Sequence, residues 1–511
     1  MTSFLALIVG VAVAVSLVVG ALRWLRVAQR EHYVTGRGGV ILRLWLSRSR
    51  WDLVVGLVAV GFAVAACVLP APLGAEANLL AVPAALGAAV VPWRLSVRGR
   101  TSKLAWTGRL RRLAAGWAAG VLVLGALLWW LLGPGATALL AVTVPATLDG
   151  ALWVTERVER RLSAPLVAAA QRRLARVHPQ VVAVTGSYGK TSTKGYIAHL
   201  IGQARSVVAS PASFNNRLGL SRAVNDHLVE GTEVFVAEMG AFRPGEIREL
   251  CELFPPDIAV ITTVGEAHLE RMRTRGRILA AKAEITERAK TVVLPVDDPD
   301  LAALAERCRA QGKRVVTCSV AGATADVMVS AGQARLRNSP APLDAQEVPH
   351  PVNLAVALGV AVALGVEPAS LRLDGLPRAA HRAELHTGPG VAVVDDTYNA
   401  NPVGALAALR EAAALAAERG GPLVVVTPGI VELGPVQAER NTAFARAAAD
   451  AGAHLVLVGR TNRSALLAGA RAGGAAPDVV DRREPAVTLA TSVAGERGVV
   501  LYENDLPDHY P

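Results

Sequence analysis

The chain has 511 residues, 52% of them hydrophobic and only 19% charged, with a formal net charge of +11. That balance excludes a disordered polymer, and the length excludes a single domain. The four cysteines, Cys67, Cys251, Cys308 and Cys318, lack the close spacing of a zinc site or a disulfide framework. Lysine is rare. Of 53 basic residues only Lys103, Lys190, Lys194, Lys282, Lys290 and Lys313 are lysines, so each is a candidate for chemistry that arginine cannot perform.

The apolar excess lies in residues 1–155. Residues 5–22, 53–69, 78–93, 113–132 and 136–154 are almost free of charge, and the segment reads as a multi-span α-helical membrane domain of about five crossings. Residues 23–50 hold seven arginines and residues 94–112 seven further basic residues, whereas 70–77 and 133–135 hold none. The positive-inside rule then puts the N-terminus outside and everything after residue 155 in the cytoplasm, as in a multi-pass plasma-membrane protein. Topology and contact with anionic lipid account for the positive charge, so membrane lipid is an expected partner and nucleic acid is not. The first run is too long for a signal peptide, lacks a cleavage site, and is followed rather than preceded by basic residues.

Residues 156–179 are amphipathic and arginine-rich, and read as a linker helix. From residue 180 short apolar runs alternate with helical stretches: 181–184, 234–237, 258–262 and 292–295, then 391–394, 423–426, 455–458 and 499–502. This predicts an α/β central domain over 180–380, built on a parallel sheet with helices on both faces, and a Rossmann-like C-terminal domain over 381–511. The first strand runs into Gly186-Ser187-Tyr188-Gly189-Lys190-Thr191-Ser192 and then a helix. Strand, glycine loop, Lys-Thr, helix is a phosphate-binding arrangement. Gly186 and Gly189 let backbone N–H groups curl towards phosphate oxygens, Lys190 reaches the β- and γ-phosphates, Thr191 holds the Mg²⁺ of bound ATP, and Ser192 completes the nucleotide-binding loop. The loop is shorter than the common Gly-x-x-x-x-Gly-Lys form.

With this loop the chain resembles the Mur ligases, ATP-dependent enzymes that form amide bonds in cell-wall precursors, and within them the branch that adds D-alanyl-D-alanine to UDP-N-acetylmuramoyl-tripeptide. The resemblance covers about residues 180–470. Besides 186–192 it rests on Ser213-Phe214-Asn215-Asn216-Arg217-Leu218-Gly219, Ala237-Glu238-Met239-Gly240, Pro244-Gly245-Glu246-Ile247, Ala267-His268-Leu269, Ala281-Lys282-Ala283-Glu284-Ile285, residues 395–402 and residues 427–434. It implies activation of a carboxylate by ATP to an acyl phosphate, followed by attack of an amine. It also implies Thr191 and Glu238 as ligands of one Mg²⁺, His268 as a ligand of a second, and Lys282 as the lysine that takes up CO₂ to become a metal-bridging carbamate. Lys190, Glu238, His268 and Lys282 would then be the catalytic set. Asn353 matches a residue facing adenine, Arg382 one reaching the nucleotide, and Asp396 the ribose-binding aspartate. Asn215, Asn216, Tyr398, Asn399 and Asn401 would line the substrate cleft.

Two departures bear on substrate. Apolar runs stand where the soluble cell-wall enzymes carry a domain for the UDP-sugar. No lysine follows Lys313, so the Lys-Gly-Ser-type segment of the dipeptide ligases is missing, and the acidic stretch 502–511 is expected to be a frayed, solvated end. The leading expectation is a membrane-anchored ATP-dependent amide ligase acting on a cell-wall precursor, which is lipid-linked on this reading, and an amine. A capsule-type polyamino-acid synthetase is weakened by the motifs at 395–402 and 427–434. A non-catalytic nucleotide-binding scaffold is weakened by the joint presence of Lys190, Glu238, His268 and Lys282. A transporter is weakened by the near absence of intramembrane charge beyond Asp149.

Overall fold

The computed structural model describes residues 2–73, 75–99, 104–337, 339, 341–346, 350–377, 384–386, 390–397, 400–507 and 509–511. The chain divides into two compact units. The first comprises Met1–Leu162 with Gly459–Thr461 and Asp505–Pro511, and the second Ser163–Val458 with Asn462–Asn504.

The first unit is helical: α1 (Thr2–Arg30), α2 (Arg37–Arg48), α3 (Arg50–Val68), α4 (Ala81–Val90), α5 (Gly108–Leu132) and α6, whose helix runs Val144–Val177. By length and composition α1, α3 and α5 suffice to cross a membrane, and a fourth crossing results if Pro134–Val142 and Val144–Val177, bent by 74°, count as one broken span. Five full crossings were expected from the apolar runs. The third run folds instead as a 3₁₀ turn leading into α4, an apolar stretch of Glu76–Val90 below the length of a span. The fifth is interrupted at Thr143, just before Pro145, whose ring and missing N–H disfavour a continuous helix. Alanines make the inner packing: Ala63 and Ala66 on α3 meet Ala81, Ala84 and Ala85, so these backbones approach closely. Large apolar side chains point outward instead, with Trp130 80% and Leu122 73% exposed. Such a surface is expensive in water and inexpensive in lipid.

The polar end of this unit holds a buried cluster that the expectation of a frayed tail missed. Glu31 pairs with Arg37 and accepts a hydrogen bond from His509 Nε2 at 2.9 Å, while Trp45 Nε1 donates to the His509 carbonyl at 2.9 Å. Burial opposes ionisation of Glu31, yet the His509 hydrogen bond and the Arg37 charge bring its carboxyl down to about 2. His509 is 1% exposed, so the tail is part of the packed unit. The tail is docked because its histidine and main chain complete the polar partners of Glu31 and Trp45.

The second unit holds two sheets. In the first, the order is β2 (Val207–Ala209), β3 (Val234–Glu238), β1 (Gln180–Thr185), β4 (Ile258–Ile261), β5 (Thr291–Pro295), β6 (Arg314–Ser319), β7 (Val327–Ser330), β8 (Gln333–Leu336) and β9 (Leu343–Asp344). All neighbours are parallel as far as β7, and β7–β8–β9 are antiparallel. Alternate residues of one strand feed two cores. Val181, Ala183, Phe235 and Ala259 face one layer of helices, and Val182, Val184, Val236 and Val260 the other. Both faces being covered, the strands read as continuous apolar runs. The second sheet has the order β10 (Glu384–His386), β11 (Ala392–Asp396), β15 (Val499–Glu503), β12 (Leu423–Thr427), β13 (His454–Val458) and β14 (Asp478–Val480), parallel except for β10. The predicted parallel α/β architecture of both parts is therefore observed.

Glu503 closes β15, paired in register with Asp396 of β11. It is fully buried, accepts a hydrogen bond from Thr427 Oγ1, and its Oε1 has no partner among the described residues. Burial, with repulsion from Asp396, pushes its carboxyl up to about 8 despite the Thr427 hydrogen bond.

Two measurements follow from this architecture. If the basic segments set the topology, reporters fused at residues 73 and 160 will label opposite faces of the membrane; labelling of one face by both would refute an N-out, odd-pass arrangement. For Glu503 the folded carboxyl keeps its proton to higher pH than an unfolded one of 4.5, so its contribution to stability is complete below pH 4.5 and is lost as pH rises through about 8. Glu503→Gln, which cannot ionise, should melt increasingly above the natural protein as pH goes from 5 to 9, and a pH-independent difference would show that the proton is not held there.

Candidate active site

The site is built where strands of the first sheet end. β1 lies between β3 and β4, so its carboxyl end is a point at which chain connections diverge, where parallel sheets open a crevice. The loop leaving β1 turns at Gly186, φ 153°, and Gly189, φ 78°. A Cβ on Gly186 would stand 2.0 Å from Thr262 Oγ1, and one on Gly189 2.4 Å from Asn353 Oδ1. Glycine is thus required at both positions, and Asn353, in the first turn of the helix Pro351–Leu364, rests directly on the loop. Helix α7 (Lys190–Gly202) begins at once, with its first N–H groups facing the loop.

Four side chains converge on Glu238, the last residue of β3, which is 1% exposed. Thr191 Oγ1 and Lys194 Nζ each donate to Oε2 at 3.0 Å, and Asn215 Nδ2 donates to Oε1 at 3.2 Å. Ser210 Oγ accepts from the Glu238 N–H at 3.2 Å. Lys190 Nζ turns back to the Gly186 carbonyl at 2.8 Å. The sequence singled out Thr191, Glu238 and Asn215. It missed Lys194 as a partner, although the scarcity of lysine was a usable signal. Ser192 is buried in the first turn of α7.

Lys282, near the end of the helix Arg275–Ala283, is 2% exposed. Burial, with the charge of Lys190, brings its amine down to about 7 against the opposing influence of Glu246 and Glu284. A large share of it is therefore neutral near physiological pH, the form that reacts with CO₂. His268 follows β4 with a left-handed backbone, φ 62°. Burial lowers its pKa, as do the nearby charges of Lys282 and Lys190, and Glu432 only partly compensates. Glu432 accepts from His268 Nδ1 at 2.7 Å, and its other oxygen accepts from Arg271. Burial opposes ionisation of Glu432 too, but His268 and Arg271 hold its carboxyl well below the usual range. A further pair, Arg440 with Glu266 at 2.6 Å, joins the same loop to the helix after residue 436.

The helices that carry these groups are α8 (Arg217–His227), α9 (Arg275–Ala283), α10 (Pro351–Leu364), α11 (Pro402–Arg419) and α12 (Gln437–Asp450). Two residues assigned to the substrate cleft are engaged as helix caps. Asn216 Oδ1 accepts from Gly219 N–H at 3.0 Å at the start of α8, and Asn401 Oδ1 from Gly404 N–H at 2.9 Å at the start of α11. This is the ordinary role of asparagine before a helix. Asp396 is buried at the end of β11 in the second sheet. Arg382, Tyr398 and Asn399 lie outside the described residues.

The donor set suits Mg²⁺. A hydroxyl and a carboxylate, Thr191 and Glu238, are held together and offer the hard oxygen atoms that Mg²⁺ prefers. Among the described residues no group of three or more His, Cys, Asp or Glu side chains is placed to hold a metal ion by itself. Mg²⁺ bound with a nucleotide needs no such cage, because phosphate and water oxygens complete its shell.

Comparison with known proteins agrees with this geometry. Residues 184–348 match the Mur ligase middle domain and residues 381–502 the Mur ligase glutamate ligase domain. A UDP-N-acetylmuramoyl-tripeptide–D-alanyl-D-alanine ligase of Mycobacterium bovis is 38% identical over 237 residues, 43% of this chain and 46% of that one. The enzyme of the same name from Mycobacterium leprae is 34% identical over 302 residues, 52% and 58% of the two chains. The chain thus spans about half the length of the curated relatives it matches. The crystal structure of a MurF ligase from Thermotoga maritima in complex with ADP superposes with a TM-score of 0.53 at 27% identity, covering 67% of this chain and 80% of that one. On these matches, and on the phosphate loop and sheet order that underlie them, the chain belongs to the Mur ligase family.

Proposed function

We propose that the chain is a membrane-anchored, ATP-dependent amide ligase that works through an acyl phosphate on a peptidoglycan precursor. The observation that carries this reading is the convergence of Thr191, Lys194 and Asn215 on buried Glu238 beside the phosphate loop, with a depressed lysine, Lys282, close enough to Lys190 for its charge to be felt. Relatives named as D-alanyl-D-alanine-adding ligases support a carboxylate donor of the muramoyl-peptide class and a dipeptide-like amine.

In this reading the loop N–H groups and Lys190 hold the β- and γ-phosphates of ATP. The donor carboxylate attacks the γ-phosphorus, the bond to the bridging oxygen breaks, and ADP leaves. The incoming amine, having lost a proton, attacks the carbonyl carbon of the acyl phosphate, and inorganic phosphate leaves as the amide forms. Thr191 and Glu238 would hold one Mg²⁺, and His268 with a carbamate on Lys282 a second, which together would neutralise the charge that gathers on the phosphoryl group. Lys194 pairs with Glu238 and aims it, and Asn353 backs the loop at Gly189.

The three long apolar helices support anchoring in the plasma membrane with the ligase unit cytoplasmic. A tethered ligase gains most from a substrate that shares its membrane, so the favoured donor is lipid-linked, and the basic segments at 23–50 and 94–112 favour an anionic diphosphate headgroup.

For the full-length protein in nanodiscs, amine-dependent ADP release should have a higher kcat/KM with a lipid-linked muramoyl-peptide than with its UDP-linked counterpart. Equal or faster use of the UDP form would leave the lipid-linked donor without support. Lys190→Ala should lower ADP release by about 100-fold or more, the scale set by removing a group that stabilises transition-state charge; undiminished release would remove the loop from the reaction. Lys282→Ala and Lys282→Arg should be equally inactive, since only a primary amine forms a carbamate, with short carboxylic acids partly restoring the alanine variant. An active arginine variant would refute the carbamate.

A further inference from the structure

The motif at 427–434 enters the sequence comparison only as a signature, yet it delivers a carboxylate to the other ligase domain. His268 lies in the segment matched by the middle domain and Glu432 in that matched by the glutamate ligase domain. Glu432 Oε2 stands 2.7 Å from His268 Nδ1, its Oε1 is bonded to Arg271, and its carbonyl accepts the Glu270 N–H at 3.0 Å. Phe242 closes the group, edge-on to the His268 ring at 5.2 Å and under the Arg271 guanidinium at 4.8 Å. His268 and Glu432 both have left-handed backbones, φ 62° and 64°. Non-glycine residues adopt that conformation at a cost, and the pair of them facing each other marks a contact worth that cost.

The consequence is chemical. A carboxylate can only accept a hydrogen bond, so Nδ1 of His268 must carry the proton and Nε2 must present the lone pair. Carboxylates placed behind ligating histidines fix the tautomer and the ring in this way. We propose that Glu432 is a positioning residue of the metal site, setting the tautomer and orientation of His268 from the neighbouring domain. Ligation through His268 then requires the glutamate ligase domain to be seated, which links the assembly of the metal site to the arrangement of the two ligase domains. This inference rests on the reading of His268 as a ligand, and the two can fail separately.

The test uses full-length protein in nanodiscs with Mn²⁺ and the non-hydrolysable nucleotide AMP-PNP, so that no turnover is needed. Pulsed EPR reads ¹⁴N coupling from a ligating histidine, and the free Mn²⁺ signal reads affinity. The natural protein should show a ¹⁴N coupling that His268→Ala removes. Glu432→Ala should weaken Mn²⁺ binding by about 10–100-fold, the range for loss of such supporting partners, and diminish the ¹⁴N coupling. Glu432→Gln, which keeps an oxygen for the Nδ1 proton, should retain the coupling. If Glu432→Ala does not fold, judged by loss of AMP-PNP binding, Glu432→Asp takes its place: one methylene shorter, it should fall short of Nδ1 and behave worse than Glu432→Gln. Natural Mn²⁺ affinity and coupling in the alanine variant, or equal behaviour of the aspartate and glutamine variants, would overturn the positioning role while leaving His268 a ligand. Absence of a His268-dependent coupling in the natural protein would remove the ligand reading, and the inference with it.

Discussion

Burying an ionised carboxylate is unfavourable unless donors surround it. Glu238 meets that condition at the end of a central strand, and much of the site's architecture can be read as its solution. Both side-chain oxygens are occupied, by Thr191, Lys194 and Asn215, and those three residues come from the phosphate-loop helix and from the segment that precedes α8. The loop, the helix it starts and a neighbouring turn are therefore tied together through one charge. Lys194 supplies the full positive charge in the set, and the ion pair is almost completely withdrawn from water, with side-chain exposures of 6% and 2%. Breaking such a pair by removing one partner leaves the other charge buried alone, which is far more damaging than loss of a surface pair.

The second ligase domain approaches the same loop with the opposite logic. Glu266–Arg440 is partly exposed and contributes little to stability, as surface pairs do. Glu432 is different, because it engages a histidine and an arginine together and carries its own backbone in an uncommon conformation. Lys282 supplies the contrast within the middle domain: burial, with the charge of Lys190, outweighs the pull of Glu246 and Glu284, and its amine falls to about 7. One site thus contains a lysine in contact with a buried carboxylate, Lys194, and a lysine, Lys282, whose amine burial brings down to about 7.

The inner strands were legible in the sequence because both their faces are buried, which leaves uninterrupted apolar runs such as residues 181–184 and 258–261. β2, β10 and β14, three residues each at or near sheet edges, were not, since so few half-covered residues carry no periodic signal. The helical unit was over-read for a related reason: hydropathy registers apolar content, not the 3₁₀ turn before α4 or the break ahead of Pro145. In the candidate site, motif spacing pointed to Thr191, Glu238, His268 and Lys282, while the partners they meet were hidden. Glu432 is 164 residues from His268, and Glu503 is 76 from Thr427, and nothing local in the sequence announces either meeting. At Asn216 and Asn401 a polar residue of a motif has its side-chain oxygen taken by the helix it caps.

The seating of His509 against Glu31, across 478 positions of the chain, has a bearing on biogenesis. The chain leaves the ribosome in order, so α1 and α2 are made long before residues 505–511. Until residues 505–511 arrive, Glu31 keeps Arg37 but lacks its histidine, and the Trp45 indole has no His509 carbonyl to meet. The helical unit is thus completed by a segment translated after the intervening α/β domains, which have had time to fold. A ribosome that stalls just short of residue 505 would leave the helical unit, although made earlier, without these partners.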